Sequence, residues 1–154
     1  MPMYRIITYD KRYEADFIRL NRQWIETYFS IEPSDTQTFA HVDDIVKDGG
    51  QIFLALHEDR DIVGCCALKH HIEDGTYELA KMAVSPAYQG LHIGHALAQA
   101  LLDYARTKGV KRIFLEGNTR LAASIALYRS IGFYEIPMQH IAYKRCDILM
   151  EWKA

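Results

Sequence analysis

A chain of 154 residues with 49% hydrophobic and 25% charged side chains can bury one core and is too short for two ordinary domains, so one domain over residues 1–154 is expected. A net charge of −2 supplies no overall pull toward nucleic acid or an anionic membrane, and no run approaches the roughly 20 apolar residues that span a bilayer. Three cysteines, two of them adjacent as Cys65 and Cys66, fit neither a paired framework nor a zinc spacing, which excludes a disulfide scaffold. Residues 1–8 lack the apolar stretch of a secretory leader, so a soluble, cytoplasmic protein with reduced thiols is expected.

Residues 4–9 read as a first strand and residues 10–13 as its exit into a helix. Over 14–29, Phe17, Leu20, Trp24, Ile25 and Tyr28 recur at three- and four-residue steps, the pattern of an amphipathic helix. Pro33 disfavours helix at Glu32, and Ser34 or Asp35 can cap a second helix that buries Phe39, Val42, Ile45 and Val46 and stops at Gly49-Gly50. Between Glu26 and Asp48 stand six acidic residues against one lysine. They read either as solvated helix faces or as an acidic overhang that favours a cationic amine, and both readings can hold together.

Residues 51–57 and 62–69 flank the polar turn Glu58-Asp59-Arg60-Asp61 as a hairpin, and Ile72-Glu73-Asp74-Gly75 turns into a strand over 76–84. Three strands joined by short turns form an antiparallel meander. Residues 91–108 carry Ile93, Ala96, Leu97, Ala100, Leu101 and Tyr104 on one helical face, and Gly109 stops the helix. A right-handed crossover then sets a strand over 110–116 parallel to 76–84. A helix over 122–131 ends at Gly132, and strands over 133–136 and 141–152, with an irregular link at Pro137, complete the sheet. This order predicts a three-layer α/β/α domain on a mixed, mostly antiparallel sheet of about seven strands with four helices.

The stretch Val84-Ser85-Pro86-Ala87-Tyr88-Gln89-Gly90-Leu91-His92-Ile93-Gly94-His95-Ala96-Leu97 runs from an apolar strand through a turn into a helix. The first turn of a helix has unpaired N–H groups and the positive end of its dipole, so the glycines can open a pyrophosphate cradle there. Two glycines by themselves are as readily turn chemistry. In an open sheet a ligand binds at the carboxyl ends of parallel strands whose crossovers leave to opposite sides, here 76–84 and 110–116.

Glu78-Leu79-Ala80-Lys81-Met82-Ala83-Val84, this glycine turn, Leu115-Glu116-Gly117-Asn118, and Ala123-Ser124-Ile125-Ala126-Leu127-Tyr128-Arg129-Ser130-Ile131-Gly132-Phe133 follow one another in the chain. Over residues 50–135 this order resembles the GNAT family of N-acetyltransferases, whose hallmarks are a Gln/Arg-x-x-Gly-x-Gly/Ala turn and a later Ala-x-x-Leu-Tyr-x-x-x-Gly-Phe. Two positions depart: His92 stands for the middle glycine, and Leu121 for an Asn often found seven residues before the tyrosine.

The resemblance implies the acyl-CoA N-acyltransferase fold and acetyl-CoA as co-substrate, without a metal. It implies that Gln89, Gly90, Leu91, His92, Ile93, Gly94 and His95 meet the pyrophosphate. The pantetheine arm would bond the strand at Met82, Ala83 and Val84, with Asn118, Ser124 and Tyr128 beside it. A bulge near Met82 would free an N–H for the thioester oxygen. Periodicity alone reads Tyr128 as a packed core aromatic, whereas the resemblance makes it the proton donor to the leaving thiolate. Glu78 is the candidate base, acting through water, ahead of His70, His71 and Glu116, each of which also reads as a strand-end polar residue.

The first two helices would wall the acceptor cleft, which nominates Trp24, Tyr28, Phe29 and Glu32 for the substrate. His41, His57, His92, His95 and His140 lie too scattered for a metal cluster. The implied function is transfer of acetyl from acetyl-CoA to a primary amine of a small molecule by direct attack in a ternary complex. The alternatives are a protein N-terminal or lysine acetyltransferase, and an acyl-CoA-binding sensor without turnover. Neither nucleic acid nor membrane is an expected partner, and a homodimer stays open.

Overall fold

On the strand Ile62–His71, Cys65 and Ala67 pack into one core while Cys66 and Leu68 pack into another, so both faces of the sheet are covered. The computed structural model describes residues 3–58, 60–139 and 141–154; Asp59 of the expected turn, His140 and the first two residues lie outside the described residues. The strands are β1 (Tyr4–Thr8), β2 (Gln51–His57), β3 (Ile62–His71), β4 (Thr76–Val84), β5 (Arg112–Gly117), β6 (Tyr134–Ile136) and β7 (Ile148–Lys153). The helices are α1 (Glu14–Tyr28), α2 (Pro33–Ala40), α3 (Val42–Lys47), α4 (Ile93–Thr107) and α5 (Ala122–Ser130). The seven strands lie in the order β1-β2-β3-β4-β5-β7-β6. Among the described residues only the β4–β5 pair is parallel, as the crossover through α4 requires.

α1 and α3 bury Phe17, Leu20, Val42 and Ile45 on one face of the sheet against Ile52, Leu54, Cys65 and Ala83. α4 buries Ile93, Leu97, Leu101 and Leu102 on the other face against Phe53, Leu68, Leu79 and Ile113. Each of these side chains is nearly sealed from water, and the Val, Leu, Ile and Phe among them are worth about 1.5–3 kcal/mol apiece before the entropic cost of ordering is set against it. The three-layer expectation holds.

Four local expectations differ. The single helix expected up to Gly49 is two, because His41 leaves helical geometry at φ −138° and ψ 43°. Its cap is Glu32 rather than Ser34 or Asp35, with Pro33 in the first turn and the Asp35 carboxylate accepting the Glu32 N–H at 2.9 Å. Strand pairing begins at Ile148, not at 141, because the backbone of the preceding segment bonds side-chain carboxylates instead of a strand. Finally, α5 sends Tyr128 into the same core as α4, so the gap at the strand ends does not arise from crossovers to opposite faces.

Candidate active site

The gap comes from β4 itself. β4 and β5 share a single registered pair, Glu78 with Phe114, and beyond it the strands part. Cys65 pairs with Ala83 and Ala67 with Ala80, so β3 advances two residues where β4 advances three, a bulge at Lys81 and Met82. Lys81 takes φ 57°, a left-handed conformation that costs a non-glycine residue roughly 1–2 kcal/mol. Its side chain is held in place: the ammonium donates to the Asp35 carboxylate and, at 3.1 Å, to the Tyr143 hydroxyl. The parted strands open into a cleft of about 660 Å³.

One end of that cleft is the start of α4. His92 caps the helix at φ 61° and Gly90 turns the chain at φ 84°. The first N–H bonded in the helix is Ala96 to His92 O at 3.1 Å, and among the described residues no N–H from 90 to 95 has a backbone acceptor. A Cβ on Gly94 would stand 3.4 Å from Leu127 Cδ2 and 3.9 Å from Met82 Sδ, so glycine keeps the space between α4 and β4 open. Such a run of unpaired donors beside an open strand edge fits a phosphate-bearing ligand with a peptide-like arm. Gln89, Gly90 and Gly94 line the cleft, as do Met82, Ala83, Val84, Asn118 and Ser124. Leu91, His92 and His95 have exposed side chains and are not among the residues lining it, and Ile93 is buried in the core, so the apolar Leu91 and Ile93 can offer an anion only backbone.

Tyr128 and Glu78 both reach the cleft and are 8% and 5% exposed. Tyr128 packs edge-on to Phe133 at 5.9 Å, and its hydroxyl has no hydrogen-bond partner among the described residues. Burial raises its pKa above the ordinary phenol value, which keeps the proton on oxygen. Glu78 Oε1 lies 2.8 Å from His71 Nε2, and that carboxylate raises the imidazole pKa against the opposing effect of burial. Glu116, on the facing strand, is raised by burial although the Ala142 and Tyr143 N–H groups donate to it at 3.0 and 3.2 Å. Burial pushes the Cys65 thiol up to about 12 and Cys146, which lines the cleft, up to about 11. No thiol here is an activated nucleophile.

Trp24, Tyr28 and Phe29 form one wall, with Trp24 tilted against both rings at 5.6 and 6.1 Å. Glu32 does not join them: its carboxylate accepts the Lys144 N–H at 2.8 Å and the Arg145 N–H at 3.3 Å, so it is spent on tying down the chain after β6. Asp35 is fully buried, with Arg145 forked onto both of its oxygens at 2.8 Å. Burial acts to raise this carboxyl, but Arg145 and Lys81 hold it well below the ordinary range. Sequence reasoning missed Asn21, Lys81, Arg120, Tyr143 and Arg145, all of which line the cleft. Asn21 and Arg120 stand in segments already nominated, whereas no spacing connects Arg145 to Asp35, 110 residues earlier.

Among the described residues no three His, Cys, Asp or Glu side chains gather where they could hold a metal, and no helix is long and apolar enough to cross a membrane.

An open strand wedge beside an unpaired helix start defines an acyl-CoA N-acyltransferase fold. The family model for the acetyltransferase (GNAT) family matches residues 18–133, and the chain belongs to that family. It is 44% identical over 68 residues to the N-alpha-acetyltransferase RimI of Mycobacterium tuberculosis, covering 44% of this chain and 41% of that protein. A GNAT-family acetyltransferase from Staphylococcus aureus shares the fold at a TM-score of 0.85 and 21% identity, over 97% of this chain and 98% of that one. A phosphinothricin acetyltransferase from Sinorhizobium meliloti, solved in complex with AcCoA, does so at 0.80 and 19%, over 99% and 89%. The chain spans about half or less of the length of curated relatives it matches.

Proposed function

We propose that the protein is a cytoplasmic N-acetyltransferase that moves acetyl from acetyl-CoA to a primary amine of a small molecule by direct attack in a ternary complex. The observation that carries this reading is the junction of two features: the run of unpaired N–H groups over residues 90–95, and the strand edge left open beyond Glu78. Bound acetyl-CoA would supply an activated thioester. The N–H groups from Gly90 to His95 would hold its pyrophosphate beside the Gln89 side chain, and the exposed edge at Met82, Ala83 and Val84 its amide-bearing arm.

The register shift at Lys81 and Met82 leaves β4 a residue unmatched on β3, and an N–H freed there would donate to the thioester oxygen as charge develops on it. Glu78 would take the amine proton through a water, and the Tyr128 hydroxyl would give a proton to the departing thiolate. Direct attack is supported by the burial of the thiols, whose raised pKa values make each cysteine a poor carrier of the acetyl group. The aromatic wall of Trp24, Tyr28 and Phe29 would seat the acceptor body.

A protein N-terminus is the second acceptor class, favoured by the likeness to an N-alpha-acetyltransferase. Thiol release with one panel of small amines and short peptides tests both. Steady CoA production with a small amine supports the proposal, and production with peptides alone moves the acceptor to the second class. Acetyl-CoA binding without release leaves a sensor.

A further inference from the structure

Glu78 is nearly sealed from bulk water, at 5% exposure, and lines the cleft. A base so placed can accept one proton and must then pass it on before the next turnover. Its Oε1 is 2.8 Å from His71 Nε2, and the His71 side chain, at 32% exposure, reaches outward from the end of β3. The ring is fixed by stacking on Phe114 at 5.8 Å, and its other nitrogen, Nδ1, makes no hydrogen bond among the described residues. The register is specific: His71 pairs with Thr76 and Lys69 with Glu78, so the His71 side chain reaches diagonally along the sheet to Glu78.

We infer that His71 and Glu78 act as a proton exit for the transferase reaction, with Glu78 receiving the acceptor's ammonium proton and His71 carrying it from the cleft to bulk water. The inference rests on the transferase reading above. The steps balance. One water passes a proton from the ammonium to the Glu78 carboxylate; Glu78 returns to its anion as that proton moves from Oε1 to Nε2; the imidazolium so formed loses a proton to solvent. The sum is one proton moved from amine to bulk, with no net change of charge on the pair and no oxidant or reductant; the ring returns to the tautomer with its proton on Nδ1 before the next cycle.

The surrounding charges favour a pair that can hold the proton in transit. Glu78 itself and Glu73 stabilise the imidazolium, while Lys69 on β3 opposes it; Asp74 in the turn also couples to the ring. Facing Glu78 are Glu116 from β5, Lys81 from the bulge and Tyr143 from the 141–147 segment.

The test compares kcat–pH profiles of the whole protein and of His71→Gln, with the best acceptor of the amine panel. Glutamine keeps a donor toward Glu78 but cannot titrate. Because His71 must be neutral to receive a proton, wild-type kcat should rise with pH through a value above the ordinary imidazole 6.5. In His71→Gln that limb should vanish, and kcat near neutrality should fall about tenfold, with KM for amine and acetyl-CoA within about twofold. His71→Ala with added imidazole should recover part of the lost rate. An unchanged limb with kcat within about twofold, or a loss that imidazole leaves untouched in a variant with intact acetyl-CoA affinity, overturns the relay alone. Wild-type protein that binds acetyl-CoA yet releases no CoA with any amine overturns the transferase reading, and the relay with it.

Discussion

Burial that raises Tyr128 also fixes its chemistry, since a phenol kept neutral through the working pH range arrives in the cleft as a proton donor. Replacing it by phenylalanine keeps the ring and its edge contact with Phe133 and removes only the oxygen. Tyr128→Phe should therefore keep acetyl-CoA affinity by calorimetry while kcat falls about 10²-fold, and kcat within about twofold of wild type would strip the hydroxyl of that role. The raised pKa adds a sign: ionisation of Tyr128 removes the donor only above the ordinary phenol value of 10, so no falling limb due to Tyr128 should appear below it. Gly94 carries the complementary prediction for binding. Gly94→Glu adds bulk 3.4 Å from Leu127 and a negative charge beside unpaired N–H groups, so acetyl-CoA affinity should drop at least about tenfold in a variant that melts like wild type.

At the scale of elements, the bulge on β4 depends on α2 and on the segment before β7. Asp35 meets Lys81 from the bulge and Arg145 from that segment, two buried charges and a partly buried guanidinium brought together across 110 residues of sequence. Removing one member strands the others, so Asp35→Asn should cost about 3–5 kcal/mol and lower Tm by about 10 °C. The pH dependence follows from a depressed carboxyl: its stabilisation is fully present above the unfolded value of 3.8 and is lost as pH falls below it. The melting gap between wild type and Asp35→Asn should accordingly narrow in acid below that value, and a gap constant from pH 7 to pH 2.5 would refute the assignment. This cluster also marks where the sequence stopped being legible. The meander, the two long helices and the glycine turn follow from periodicity and local turn chemistry, and Thr76–Val84 came out to the residue. The break at His41, the late start of β7 and the pairing of Asp35 with Arg145 depend on contacts between distant segments, which no local pattern encodes.

For the whole molecule, the relevant question is where the acidic surplus between Glu26 and Asp48 acts. Read along the chain, it suggests a field that draws a cationic amine toward the cleft. In the folded protein much of that charge has internal partners. Glu32 is bonded to the backbone of 144 and 145, Asp35 to Lys81 and Arg145, and Asp43 to the Tyr9 hydroxyl at 2.7 Å and Lys11 at 3.0 Å. At the cleft itself Arg120, over the Phe29 ring at 5.3 Å, has no carboxylate partner among the described residues. Steering by long-range charge should therefore be weak. Salt tests this, because the Debye length shrinks from about 30 Å at 0.01 M to about 3 Å at 1 M and would screen any such field. kcat/KM for a cationic amine should change less than about twofold over that range once acetyl-CoA is saturating. Neutralising Glu32 and Asp35 together should lower Tm while leaving the salt slope flat. A steep fall of kcat/KM with salt that the double variant abolishes, at temperatures where both proteins are folded, would return the acidic stretch to the role of an electrostatic guide.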